Sequence, residues 1–546
     1  MTTSPPPRRR GDPFSRIGAD WSDPESIQVV LERLGMHVPQ RLHTARFQEM
    51  IAALDRLGIE VQGADDRRLT PEDGSPGIHA ALRLRRSPGP AAPRAPAPPP
   101  EEPPGSSMSK VRVANFKSFE SAELQLSALT LLIGANASGK SNALEALQLL
   151  SWMASGRRLS NIGFAMRDAE LAIRGTASDL TWAGEGGGVI ELGCSLDQDE
   201  DGRSLELTIQ IGVDREGLRI VGEELYCPEE SSHLPLYRVT EPASQHGREM
   251  QVEYNNFARG GHKPRITCVD EQPVFAQLMT PARFGASHEK SQEVIPGAAR
   301  RLQAALEGIL FLDPSPRAMR GYSFLSEQRL HGDGSNLSGV LHRLTVSGDQ
   351  KEEVLGFIRS LPEQDILDIS YLEGPRGEVM VELEESFGPH HKPREAALLS
   401  DGTLRVLAIA AALLSVPHGS MVVIEEIDNG VHPSRAAHLL QRIRDVAARR
   451  ALRILLTTHN PALLDALPSS ALPHVVACFR DTGSGSSRLV RLEDLASYPE
   501  LIARGPLGQL VTRGVLDRYL KSQQSPEERR ARNLDWLEKA LGGDPS

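Results

Sequence analysis

Cysteine is scarce: the 546 residues hold four, Cys194, Cys227, Cys268 and Cys478, and no Cys-x-x-Cys pair. That scatter excludes a disulfide framework and a zinc-ribbon-like site, and the four read as free thiols of a reducing compartment. Aromatic residues make up 4%, too few for a broad base-stacking platform. No apolar run approaches the ~20 residues that span a bilayer. The basic start, Met1 to Arg10, leads into no apolar signal-peptide core, so a cytoplasmic protein without a membrane partner is expected. Sustained heptads are missing, which excludes a long coiled-coil arm. Positive charge is not in excess either. The formal net charge is −11, so composition gives no global drive toward nucleic acid, although a local basic patch is compatible with it.

What is present is ordinary for a globular chain, with 39% hydrophobic and 24% charged residues. At this length two or three domains are expected. Residues 87–107 are rich in proline, which removes backbone donors and favours an extended, solvated linker. Upstream, Asp23-Pro24 followed by Ile27, Val30, Leu31 and Leu34, with Gly35 behind them, predicts a helix. A second helix is expected from His43 to Leu57 and a short strand over Ile59 to Val61. Residues 1–86 thus contain a small α/β module of unassigned role, and Met108 is an alternative start of the main domain.

The chemistry begins at Leu131. Residues 131–142 contain a complete G-x-x-x-x-G-K-S phosphate loop (Gly134, Gly139, Lys140, Ser141), preceded by the apolar strand Leu129 to Ile133 and followed by a helical pattern from Asn142 to Leu150. Glycines at both ends let successive amides turn inward onto phosphate oxygens, so Gly134, Asn136, Ser138, Gly139, Lys140, Ser141 and Asn142 are the expected nucleotide-binding residues. Lys140 is expected on the β- and γ-phosphates as their only nearby cation besides Mg²⁺, and the Ser141 hydroxyl on Mg²⁺. ATP is then a substrate and Mg²⁺ a cofactor.

Between about 185 and 270 the pattern turns period-two, as expected for antiparallel strands. Helices are expected over Gly297 to Glu307, Leu337 to Leu344 and Lys351 to Leu361, and strands over Val475 to Phe479 and Arg488 to Leu492. From Ser400 to Leu464 helix and apolar strand alternate, the signature of a parallel sheet. There Met421 to Ile424 runs into Glu425 and Glu426, expected at the end of a strand neighbouring the phosphate-loop strand. Glu425 is the expected metal carboxylate and Glu426 the group that orients or deprotonates the attacking water. The strand Ile454 to Thr458 ends in His459, placed for a γ-phosphate contact and grouped with Glu426 and Lys140 as catalytic. Ser400, Asp401 and Gly402 precede the apolar helix Val406 to Leu414, a second helix N-terminus suited to an anion.

Together with Val113 to Phe119, Gly332 to Leu337 and Thr457 to Pro461, these strings resemble the ABC-type/AAA predicted ATPases of bacteria, the group of the OLD (overcoming-lysogenization-defect) nucleases and the Septu-type defence ATPases, related to RecF. The resemblance covers about 109–520. It implies an α/β, ABC-type P-loop ATPase head over 108–520 with an antiparallel β/helical insert at about 155–395, and a charged helical tail over 521–546. It also implies that Ser400, Asp401 and Gly402 cap ATP bound by a second copy, giving a homodimer with two sandwiched ATP molecules. Most ABC heads carry Asp where Glu425 stands. The roughly 80 residues after Pro461 are too few for the Toprim nuclease of OLD proteins. The expected role is therefore a regulator of a separate effector, a nuclease or toxin, in anti-phage defence. The alternatives are a RecF-like ATPase clamping DNA and a nucleotide-dependent scaffold that hydrolyses little.

Overall fold

The computed structural model describes residues 59–62, 83–86, 107–167, 171–182, 188–214, 217–244, 247–346, 348–359, 365–387, 390–428, 433–495 and 498–521. The helices expected over 23–35 and 43–57, nearly all of the proline-rich linker and the charged tail beyond Lys521 lie outside these residues. The chain divides into two compact units, Met1–Glu101 and Glu102–Ser546. In the first, Ile59–Gln62 pairs antiparallel with Arg83–Arg86.

The second unit opens with β1 (Met108–Phe116) and β2 (Phe119–Gln125), then β3 (Leu129–Ile133) and α1 (Lys140–Ala154). Six strands follow: β4 (Gly188–Leu196), β5 (Leu205–Asp214), β6 (Gly217–Tyr226), β7 (Tyr237–Glu241), β8 (Glu249–Tyr254) and β9 (Arg265–Val269). Next come α2 (Glu289–Glu307), β10 (Leu310–Leu312), α3 (Leu337–Thr345) and α4 (Lys351–Ile358). The strands β11 (Asp365–Glu373), β12 (Glu378–Phe387) and β13 (His390–Glu395) lead to α5 (Asp401–Ser415). The remaining main elements are β14 (Met421–Ile424), α6 (Pro433–Arg449), β15 (Arg453–Thr458), β16 (Val475–Arg480) and β17 (Ser487–Arg491).

Three sheets result. The central one has the order β10-β14-β15-β3-β16-β17, parallel except for the antiparallel edge strand β17. An eight-stranded antiparallel sheet runs β9-β8-β7-β6-β5-β4-β1-β2. A small sheet joins β11, β12 and β13 with Ser323–Phe324. The chain is an α/β P-loop fold carrying a large antiparallel sheet.

Alternation along the central strands explains the layering, because successive side chains point to opposite faces. Leu131, Ile133, Val422, Ile424, Ile454 and Leu456 face a core filled by α3 to α6. Leu132, Met421, Val423, Leu455 and Val476 face the other core, shared by α1, α2 and the antiparallel sheet. With both faces covered, β3 and β14 are buried along their whole length, which is why they read as unbroken apolar runs.

One sequence expectation changes and another is extended. The helix expected from Gly297 starts eight residues earlier, at Glu289, and runs through Pro296. Proline forfeits only its own amide bond there, and burial of Val294, Ile295, Pro296 and Ala299 holds the helix together. The strand pair that the sequence places at Val111 to Phe116 and Ala122 to Leu126 forms as the hairpin β1–β2. Its β1 pairs with β4, Val111 opposite Cys194, and so joins the 188–269 region in one sheet.

Candidate nucleotide site

All the parallel strands end on one side of the central sheet, and there Ile133 leads into the phosphate loop, Ile424 into Glu425, and Thr458 into His459. A cleft of about 560 Å³ lies at these ends, lined among others by Asn136, Ser138, Gly139, Lys140, Ser141, Asn142, Glu425, Glu426 and His459. Carboxyl ends of parallel strands are where open α/β sheets bind ligands. The strand bearing the two acids is not adjacent to β3; β15 lies between them. The side chains of β15 therefore organise the gap.

The loop is shaped by close packing. Gly134 has φ 154° and Gly139 φ 117°. A Cβ at Gly134 would collide with the Cys478 carbonyl oxygen, and one at Gly139 with the Ser487 hydroxyl. Only glycine fits either place, for backbone angle and space alike. Behind the loop, buried Ser487 donates to the Ser138 carbonyl at 2.6 Å and shares a hydroxyl–hydroxyl hydrogen bond with Ser118 at 2.8 Å. Asn142 donates to the same Ser118 hydroxyl at 2.8 Å, and the Ser487 amide to the Ser118 carbonyl at 2.6 Å. The edge strands of the two sheets meet at that seam. Cys478 donates its thiol to the Ser138 carbonyl at 3.3 Å, and burial pushes that thiol up to about 11.

Gly139 is the N-cap of α1 and makes no side-chain capping bond. The first amides of a helix have no intrahelical partner, so this end is suited to an anion. Lys140 donates to the carbonyls of Gly134 at 2.6 Å and Ala135 at 3.1 Å. Burial lowers its pKa, while Cys478 and Glu426 favour its charge.

Glu425 is half-buried, and burial raises its pKa, reinforced by Asp313, Glu426 and Glu145 and opposed by Arg174. Glu426 is exposed and sits at φ 47°. That left-handed backbone costs on the order of 1 kcal/mol for a residue with a Cβ. The Thr457 hydroxyl holds it by accepting the Glu426 amide at 2.9 Å. Thr458 donates to Asp428 at 2.6 Å and fixes the loop beyond. His459 is exposed at the strand end, beside both acids in the cleft.

The donor chemistry fits Mg²⁺. Among the described residues no group of three or more His, Cys, Asp or Glu is arranged to hold a metal. A serine hydroxyl and a carboxylate, completed by phosphate oxygens and water, are how Mg²⁺ is usually bound. Ser141 and Glu425 are the residues that would hold it. The Ser138 hydroxyl is buried without a partner, an acceptor or donor left inside the loop.

Three cations line the cleft that the sequence did not single out: Lys117, Arg174 and Arg480. Lys140 is therefore not the only positive charge beside the phosphates. Lys117 follows β1, pairs with buried Glu145 of α1 and donates to the Arg174 carbonyl at 2.7 Å. Arg174 Nε donates to the other Glu145 oxygen at 2.7 Å. Arg480, at the end of β16, donates to the Ala137 carbonyl at 3.2 Å.

Ser400, Asp401 and Gly402 do not line this cleft. Ser400 is the N-cap of α5, its hydroxyl accepting the Thr403 amide at 3.1 Å. Asp401 pairs with Arg320 at 2.6 Å, and Arg320 also holds the carbonyls of Ala397 and Leu399, each at 2.8 Å. Leu398, beside the turn, is 60% exposed.

Two stretches match protein-family models. Residues 320–465 match "AAA domain, putative AbiEii toxin, Type IV TA system", and residues 107–179 match "AAA ATPase domain". The second covers the phosphate loop and Arg174, the first the Ser400 turn, both acids and His459. Both walls of the cleft thus lie in stretches similar to AAA-type ATPase domains. Among curated proteins none matches it. Solved structures similar to it include an Smc head bound to the C-terminal winged-helix domain of ScpA, at 12% identity over 71% of this chain and 99% of that one, TM-score 0.39. The SMC head domain from Thermotoga maritima matches at 14% identity over 70% and 98%, TM-score 0.33. An Smc head with an extended coiled coil bound to the C-terminal domain of ScpA, from Pyrococcus furiosus, matches at 12% identity over 73% and 99%, TM-score 0.37.

Proposed function

We propose that this protein is a Mg²⁺-dependent ATPase that works as a homodimer and regulates a separate effector, a nuclease or toxin, in bacterial anti-phage defence. One observation carries the ATPase part: phosphate loop, strand-end acids and His459 converge on one cleft at the carboxyl ends of the central sheet. In that cleft the amides of Gly139 to Asn142 and the Lys140 ammonium hold the β- and γ-phosphates. Ser141 and Glu425 would hold Mg²⁺, which when bound would supply charge neutralisation for the transfer. Glu426 accepts the proton of the water that attacks the γ-phosphorus as the bond to ADP breaks. His459 steadies the γ-phosphate from the neighbouring strand end.

The dimer is supported by what the single chain leaves outside. The Ser400 turn does not line the cleft and is exposed, as is neighbouring Leu398. An exposed apolar side chain beside a polar turn suits a protein contact, with ATP bound by the second copy beneath Ser400, Asp401 and Gly402. A toxin–antitoxin description on one matched family model accords with a defence role. Among the described residues no helix is long and apolar enough to cross a membrane, which accords with action in the cytoplasm. The net charge of −11 weighs against the DNA-clamp alternative.

The test traps the ATP-bound state. Glu426→Gln, tagged and purified with Mg·ATP from its native host, should carry a stoichiometric second protein, identified by mass spectrometry. Recovery of DNA with no protein would replace the effector reading with the clamp.

A further inference from the structure

Of the four cations around the cleft, three each have two donors bonded to the protein. Lys140 bonds the Gly134 and Ala135 carbonyls, Arg480 bonds the Ala137 and Gly485 carbonyls, and Lys117 is buried on Glu145 and the Arg174 carbonyl. Arg174 differs. Its side chain is 69% exposed in the cleft, and only Nε is bonded, to Glu145 at 2.7 Å. Its terminal nitrogens have no partner among the described residues. A guanidinium held by one nitrogen and open along its other edge is preorganised for two phosphate oxygens.

The backbone beneath Arg174 is fixed on both sides. Leu171 and Ile173 are buried in the core, and Thr176 and Asp179 close a capping box at 2.7 Å just beyond. Lys117 ties the Arg174 carbonyl down at 2.7 Å, and its own amide bonds Leu180 at 2.8 Å. Glu145 stands five residues after Lys140 on α1, so the helix that carries the phosphate-loop lysine also orients the arginine. Arg174 lines the same cleft as Glu425, Glu426 and His459, and in the ATPase reading the water that Glu426 activates attacks the terminal phosphate. The terminal phosphate belongs on that side.

Resting on the ATPase reading above, we propose that Arg174 is a nucleotide-contacting residue whose open guanidinium edge takes the γ-phosphate, with Glu145 as its positioning residue. The site then distinguishes tri- from diphosphate within one chain, before any second copy closes over it.

Affinities of the full chain for Mg·ATP, its non-hydrolysable imido analogue and Mg·ADP decide this, by calorimetry on wild type, Arg174→Ala, Arg174→Lys and Glu145→Gln. Arg174→Ala should weaken ATP and its analogue about tenfold or more while changing ADP less than about twofold. Arg174→Lys should recover part of the loss, and Glu145→Gln should reproduce a smaller share of it. Equal weakening of ATP and ADP, or no change in either, overturns the assignment. Wild type that binds no ATP overturns the ATPase reading with it. If wild type binds, Lys140→Ala does not, and Arg174→Ala matches wild type, only the role of Arg174 falls.

Discussion

Three helices in this chain begin in three different ways. At α1 the N-cap is Gly139, with no side-chain cap, and its first amides face the cleft. At α5 the N-cap is Ser400, whose hydroxyl already takes the Thr403 amide. At the short helix Val274–Gln277, Glu223 reaches in from β6 and accepts the amides of Val274 and Phe275 at 2.7 and 2.8 Å. The third shows an anion on a helix start, supplied by the protein itself. The first is shaped for such an anion and lacks one from the chain, whereas the second has met part of its own need. Under the proposed function, the open start with its packed glycines takes the ligand, and the self-capped start, exposed beside Leu398, meets the second copy.

The largest break in this contrast comes from Glu426→Gln, which should lower steady-state turnover by about 10²-fold or more while ATP affinity holds; a phosphate-release assay beside calorimetry reads both. Lys140→Ala should abolish Mg·ATP binding, and loss of binding in the Ser400-turn variants as well would contradict the assignment of the α1 start. Ser400→Arg should leave ATP binding at wild-type level yet lower turnover about tenfold, because added bulk obstructs the second copy; unchanged turnover would remove the turn from the mechanism. A subtler effect follows from Glu425. Its raised pKa means the metal-free carboxylate is lost at a higher pH than an ordinary glutamate as pH falls, so Mg·ATP affinity, read by calorimetry across pH, should begin to weaken above the usual carboxylate range.

Glu223 sharpens the third case. Burial raises it to about 7 despite bonds from Tyr237, Val274 and Phe275. Because the folded value exceeds the unfolded one, its contribution to stability is full below the unfolded pKa and is lost as pH rises through about 7. Chemical denaturation across that window should show a decline of about 3 kcal/mol that Glu223→Gln abolishes.

The α1 start was legible because its signal is local: strand, glycines, lysine and helix are contiguous from Leu129 to Leu150. The acid pair and His459 were legible for the same reason, each ending its own apolar strand. Lys117, Arg174 and Arg480 were not, since a hairpin turn, a coil segment after α1 and the end of β16 meet only through the sheet order. Lys117 stood within a string already noted, but nothing in its neighbours foretells Glu145 as a partner. The pairing of Val111 with Cys194 is equally remote in sequence, so the antiparallel region read as an insert rather than as one sheet with the first hairpin. Pro296 misled because its local cost was visible and the burial offsetting it was not.

The seam at Ser118 and Ser487 has a mechanical consequence. Both residues sit where the edges of the two sheets meet, and both bond the back of the phosphate loop or its neighbours. A force applied to the broad antiparallel sheet has a lever arm of eight strands ending at this fulcrum. Tilting one sheet against the other would displace the Ser138 carbonyl and crowd Gly139, so the seam and the phosphate loop can shift only together.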